Sequence, residues 1–177
     1  MSSAQSTPSA TRTRLFVLMG VSGSGKTTIG QLLAQRLGIP FLDADDYHSQ
    51  ANKDKMHAGH PLTDEDRWPW LATLNGLLSD HAAKGSGCVL ACSALREVYR
   101  DRLEQGMPAG TINFVLLEGS RELIAGRLAA RHHEYMNSSL LDSQFATLEL
   151  PADAVKVCND RTPDQVVDEI LQDEKLA

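Results

Sequence analysis

The sequence predicts an α/β fold in which a parallel sheet is covered by helices on both faces. Two observations carry that expectation. Short apolar runs alternate along the chain with longer segments of helical period, the pattern of strands joined by crossover helices. The nonapeptide GVSGSGKTT (20–28) follows directly on the apolar run LFVLM, which is the strand–loop–helix setting of a phosphate-binding loop. At 177 residues, with 42% apolar and 23% charged, the chain is long enough to bury one sizeable core and shows no internal repeat or domain-sized linker.

Taken in order, LFVLM (15–19) reads as a buried strand. A helix follows over about Lys26–Leu37, with Ile29, Leu32, Leu33 and Leu37 on one face and Gly38 placed to end it. FLD (41–43) is a brief second strand. After a polar stretch, Trp70, Leu71, Leu74, Leu77 and Leu78 recur at helical spacing. Thr63 and Asp66 are both candidate caps for that helix, and Asp66 is preferred because it puts Pro69 in the first turn. CVLAC (88–92) is the third strand, ALREVYRDRLEQG a helix ending at Gly106, INFVLL (112–117) the fourth strand and RELIAGRLAAR another helix. Residues 132 to about 143 look polar and irregular. VKVC (155–158) is the last strand, and TPDQVVDEILQ a final helix with Pro163 in its first turn.

Composition excludes some functions. No run reaches the ~20 apolar residues that cross a bilayer, so no membrane association is expected. The net charge of −6 argues against a general nucleic-acid binder. Arg96, Arg100, Arg102, Arg121, Arg127 and Arg131 nonetheless crowd one segment, which leaves room for a local anion site. Cys88, Cys92 and Cys158 have neither the number nor the spacing of a disulfide framework or a zinc site, and read as small buried hydrophobes of a reducing cytoplasm. Residues 1–13, rich in Ser, Thr and Ala, read as a frayed tail, with 14–177 as a single domain.

Gly20, Gly25, Lys26 and Thr27 satisfy G-x-x-x-x-G-K-[ST]. The glycines let the backbone wrap phosphates with its N–H groups, and the helix N-terminus adds positive potential. Lys26 is placed to reach the β and γ oxygens, and the Thr27 hydroxyl to ligate Mg²⁺. Gly20, Val21, Ser22, Gly23, Ser24, Gly25, Lys26, Thr27 and Thr28 are therefore the candidate ATP-binding set. A guanine-reading N-K-x-D is missing: ANKDKM (51–56) has Lys55 where the motif needs Asp, and it stands too early in the chain. A motor-type ATPase would end a core strand with an acid, whereas CVLAC runs into Ser93. A compact phosphotransferase remains. Its acceptor is expected beside LDADDYH (42–48), where Asp43 and Asp45 follow the second strand at the carboxyl end of the sheet. Transfer to a hydroxyl needs one carboxylate near the metal and another to take the proton; a turn carboxylate that only caps the next helix is the plainer alternative, and suits Asp46.

GVSGSGKTT, LDADDYH, KM-x-x-G-x-PLTDEDRWPWL, ACSALREVYRDRL and LLDSQFATLELP, in this order from about residue 15 to 151, together resemble gluconate kinase. The resemblance implies a P-loop kinase of the shikimate-kinase and nucleoside-monophosphate-kinase type: three layers, α/β/α, a five-stranded parallel sheet and a mobile lid, here about 131–143. It implies ATP plus D-gluconate giving 6-phosphogluconate and ADP, usually by a homodimer. It assigns Asp45 and His48 to the sugar-acid hydroxyls, Asp45 also as base, Asp43 to Mg²⁺ through water, and Ser93 and Arg96 to the acceptor. Arg96 suits the gluconate carboxylate, which a guanidinium grips bidentately. Arg127 and Arg131, spaced i, i+4 before the lid, are expected over the nucleotide, with Arg131 on the transferring phosphoryl group. Arg67 and Lys55 also match family positions, although Arg67 can equally pair with Asp64.

One departure stands out. After the arginine that Arg131 matches, the family has a Gly-His-Phe-like run, where this chain has RHHEYM, with Glu134 at the histidine's place and Tyr135 at the aromatic's. His132 and His133 read as a solvated lid pair and not as metal ligands. Trp70 fits the apolar stripe of its helix; Trp68 is open between core and sugar stacking. Two alternatives keep the phosphate loop: a kinase of another small hydroxylated acceptor such as shikimate, and a nucleotide-binding regulator without catalysis.

Overall fold

The computed structural model describes residues 14–131 and 138–173. The expected tail 1–13, the centre of the expected lid, and the readings of His132, His133, Glu134 and Tyr135 lie outside the described residues.

Five strands, β1 (Leu15–Met19), β2 (Phe41–Asp43), β3 (Cys88–Ala91), β4 (Ile112–Glu118) and β5 (Val155–Cys158), form one sheet of order β2-β3-β1-β4-β5. All four pairings are parallel. Parallel neighbours cannot be joined by tight turns, and the crossovers are helical: α1 (Lys26–Leu37), α2 (Gln50–His57), α3 (Asp64–Lys84), α4 (Glu97–Glu104), α5 (Arg121–Ala130), α6 (Ser138–Thr147) and α7 (Pro163–Gln172).

Alternation along the strands sorts their side chains into two cores. Leu15, Val17 and Met19 of β1 join Leu90 and Leu116 under α3 and α4, against Leu71, Leu74, Leu78 and Leu103. Phe16 and Leu18 face the other way with Val89, Val115 and Leu117, against Ile29 and Leu33 of α1 and Val166, Val167 and Ile170 of α7. Each large apolar side chain so buried contributes about 1.5–3 kcal/mol. A third, smaller cluster of Val21, Leu95, Ile124 and Leu141 lies where the phosphate loop meets α5 and α6.

The strands and α1 stand where the sequence predicts them, and Gly38 closes α1 in the left-handed region (φ 66°). Several elements differ. Thr63, not Asp66, caps α3: its side chain accepts from the Asp66 N–H while Asp66 accepts from the Thr63 N–H, a reciprocal capping box. Pro69 consequently lies inside the helix, on its exposed side, where the carbonyl it leaves unpaired can be hydrated. α4 starts at Glu97 and not at Ala94, because Ala94 takes a positive φ of 43° and its carbonyl accepts from Arg100. The polar stretch after β2 holds a short 3₁₀ turn (Ala44–Tyr47) and α2. The expectation of irregular structure to residue 143 is corrected for 138–143, which belong to α6; the apolar side of that helix covers the small third cluster.

Candidate active site

The phosphate loop leaves the sheet at its centre, between the carboxyl ends of β3 and β4. Two contacts set its shape. The Gly20 N–H donates to the Ser93 carbonyl at 3.2 Å, and the Ser24 N–H to Val21 O at 3.2 Å. Gly25 occupies the N-cap of α1 at φ 95°, and no side chain caps that helix. Its first N–H groups are left to an anion, which the helix dipole favours. A Cβ on Gly25 would stand 2.3 Å from Asn159 Nδ2, so glycine is required here by space as well as by φ. Lys26 Nζ donates to the carbonyls of Gly20 (3.1 Å) and Val21 (3.0 Å). Burial lowers its pKa from the ordinary lysine value, while Asp45 and Asp43 oppose that shift and Arg131 adds to it.

Beside the loop, β2 delivers Asp43 and the 3₁₀ turn delivers Asp45. Asp43 accepts from the Thr27 hydroxyl at 3.2 Å and from the Asp45 N–H at 3.0 Å. Asp45 is exposed, but protein atoms crowd one side of its carboxyl group, and this partial burial raises its pKa; the like charge of Asp43 raises it further, and Lys26 opposes. Trp70 holds this turn in place. Its indole N–H donates to Ala44 O at 2.8 Å, and its ring stacks on His48 at 4.2 Å. Trp70 is thus a core residue, as its helical spacing predicts, that also braces the site. His48 is buried with Nδ1 unpartnered, and burial followed by the charges of Arg67 and Lys53 lowers its pKa to about 4. It is a neutral ring with a free polar atom, suited to a hydroxyl.

Arg67 and Arg96 meet across Tyr99. Each guanidinium lies 5.4 Å from the Tyr99 ring centre, and both pair with Asp64, Arg96 at 2.8 Å and Arg67 at 3.8 Å. The Tyr99 hydroxyl donates to the same carboxylate at 2.6 Å. Asp64 is a hub that sequence reasoning noted only as a partner for Arg67. Lys55 and Asn52, on α2, are bound to Asp66 and serve the start of α3. Trp68 packs edge-on against Tyr99.

Across the loop, Arg127 donates to Asn159 O at 2.5 Å and keeps its other terminal nitrogen buried without a partner. Arg131 stands exposed at the end of α5, near enough for its charge to be felt at Lys26. The i, i+4 pair therefore divides, Arg127 buried against the loop after β5 and Arg131 exposed. Asn159 is a residue that sequence reasoning missed. It is buried and donates to Ser24 O at 2.7 Å. Its position directly after β5, at the ligand-binding end of the sheet, was the available signal.

The arrangement fits a nucleotide triphosphate with its metal. Backbone donors and Lys26 gather at one loop, a buried guanidinium with an unpartnered nitrogen lies against Asn159, which itself binds the loop, and a hydroxyl paired with a carboxylate stands at the loop's edge. Among the described residues no three His, Cys, Asp or Glu side chains cluster as a metal site; Mg²⁺ in such proteins takes most of its ligands from phosphate and water.

Comparison with known proteins agrees. A family model described as an AAA domain matches residues 15–151. A gluconokinase of Gluconobacter oxydans is 44% identical over 163 residues, covering 90% of this chain and 90% of that protein. The chain belongs to the gluconokinase family. A solved gluconokinase of Sinorhizobium meliloti is 40% identical, with a TM-score of 0.81 over 93% of this chain and 92% of that one. Shikimate kinase of Acinetobacter baumannii, bound to shikimate, is 20% identical with a TM-score of 0.53 over 90% and 91%, a likeness of fold. The P-loop kinase fold that the motifs imply is thus the fold of this family member.

Proposed function

We propose that the protein transfers the γ-phosphoryl group of ATP to the terminal hydroxyl of D-gluconate, giving 6-phosphogluconate and ADP. The observation that carries this reading is the hydrogen-bonded link between the two sides: the Thr27 hydroxyl of the phosphate loop donates to Asp43, which also accepts the Asp45 N–H, so that the candidate base stands beside the phosphate site. Family membership supports the acceptor.

In this reading the loop N–H groups from Gly23 to Thr28 hold the phosphates, and Lys26 exchanges its carbonyl partners for phosphate oxygens. Arg96, with Arg67 behind it, grips the gluconate carboxylate, and His48 orients its hydroxyls. Asp45 accepts the proton of the attacking hydroxyl. The new O–P bond forms as the bond to the bridging oxygen of ADP breaks. Arg131 stabilises the charge on the phosphoryl group in flight, and Arg127 steadies the nucleotide. Mg²⁺, when bound through Thr27 and by way of water through Asp43, neutralises charge on the phosphates. The reading extends to a homodimer, as the family resemblance implies, and to the reducing cytoplasm that the cysteine usage suggests. No helix among the described residues is long and apolar enough to cross a membrane.

The test is ADP release from Mg·ATP against D-gluconate, shikimate, glycerate, AMP and no acceptor. Turnover with gluconate far above the others supports the reading. Turnover with another member of the panel would overturn the acceptor, and silence across it would overturn phosphotransfer itself.

A further inference from the structure

One backbone donor of the phosphate loop is engaged by a side chain from the far end of the chain. The Ser22 N–H donates to Gln144 Oε1 at 2.7 Å, and Gln144 Nε2 donates to the Ser22 Oγ at 3.2 Å. A planar amide held at two points fixes both the peptide plane and the hydroxyl rotamer of Ser22.

Gln144 is itself firmly seated. Beneath the loop, Leu141 of α6 is buried with Val21, Leu95 and Ile124, and Phe145 packs beside them. Just beyond α6, the Glu149 N–H donates to Leu95 O at 2.8 Å. The Glu149 carboxylate accepts from the Glu97 N–H at 2.6 Å and faces Arg96 Nε at 3.6 Å. The segment from 141 to 149 thus touches the nucleotide loop at one end and the acceptor arginine at the other.

We propose that Gln144 is a positioning residue for the nucleotide. It holds the Ser22 turn so that the following N–H groups present themselves to the triphosphate. Without it the Ser22 N–H is left half-buried and unpaired, and the loop relaxes toward other partners. The proposal rests on the loop as an ATP site.

The experiment measures the affinity of a non-hydrolysable ATP analogue with Mg²⁺, KM for gluconate, and Tm, in the wild type, Gln144→Ala and Gln144→Glu. Gln144→Ala is expected to weaken analogue binding about tenfold, the scale of a lost hydrogen bond or two, with KM for gluconate unchanged within about twofold. Gln144→Glu keeps an acceptor for the Ser22 N–H but adds charge beside the loop. Its defect shrinks as ionic strength rises, whereas that of Gln144→Ala does not. Wild-type analogue affinity in Gln144→Ala overturns the proposal. So does a parallel loss of both affinities and of Tm, which marks a purely structural residue. Analogue binding needs no acceptor, so failure of the gluconate assignment would show separately, in wild-type turnover.

Discussion

The Thr27 hydroxyl donates to the Asp43 carboxylate across 3.2 Å, joining the first turn of α1 to the end of β2. Asp43 also accepts the Asp45 N–H at 3.0 Å, which keeps two carboxylates side by side at the mouth of the loop. Burial of its carboxyl group raises the Asp45 pKa from the ordinary carboxylate value, and the like charge of Asp43 raises it further.

If Asp45 must be ionised to take a proton, kcat/KM rises with pH through its raised pKa. Asp43→Asn removes the like charge and lowers that pKa. The acid limb of the profile then moves to lower pH, although the maximal rate also falls. An unmoved limb, or one displaced upward, would separate Asp45 from the titration.

Gly25 carries two constraints, a φ of 95° and the 2.3 Å approach of Asn159 Nδ2 to any Cβ. Gly25→Ala is expected to weaken ATP-analogue binding by at least about a hundredfold, since both strain and overlap must be relieved. Adding Asn159→Ala relieves the overlap but not the strain, and it also costs the hydrogen bond to Ser24 O. Calorimetry should therefore find the double variant still far from wild type. Full recovery would mean that crowding alone matters.

In the proposed function Arg96 grips the acceptor carboxylate with a planar fork that Asp64 holds and that lies over the Tyr99 ring. Arg96→Lys keeps the charge and loses the fork. KM for gluconate should rise about tenfold while KM for ATP stays put, because bidentate recognition is lost and the loop is untouched. Equal effects on both substrates in steady-state kinetics would contradict a carboxylate-gripping role.

These residues show how much of the molecule was legible in its sequence. Strands and the long helices announce themselves through period, and Gly38 and Pro163 mark helix ends for steric reasons that do not depend on the rest of the fold. The loop is legible because its chemistry is local. α2 was not, since its eight residues bury only Asn52 and carry no apolar stripe. α6 hides for a different reason: it covers a small satellite cluster in place of the main cores. Asn159 and Gln144 reach the loop across 135 and 122 residues, a proximity that only the closed sheet creates. The Thr63 cap was the reverse case, a legible capping box passed over for the sake of Pro69, which an exposed helix face tolerates.

His48 supplies a stability test. Its folded pKa of about 4 lies below the ordinary 6.5, so between these values the unfolded chain binds more protons than the folded one. Stability conferred by the neutral ring is present above pH 6.5 and is lost as pH falls toward 4. His48→Phe keeps a ring on Trp70 and removes the titration. Its urea midpoint should fall less steeply over that window than that of the wild type. Parallel slopes would show that His48 charges as freely in the fold as out of it.

The most direct test of the account is Asp45→Asn, measured for phosphoryl transfer to gluconate and for ATP-analogue binding in the same preparation. The substitution is nearly isosteric and leaves the phosphate loop intact. Transfer should fall by about 10²–10⁴-fold, the usual worth of a positioned base, with analogue affinity at or above that of the wild type. Transfer at the wild-type rate would contradict Asp45 as the base, the role on which the proposed mechanism turns.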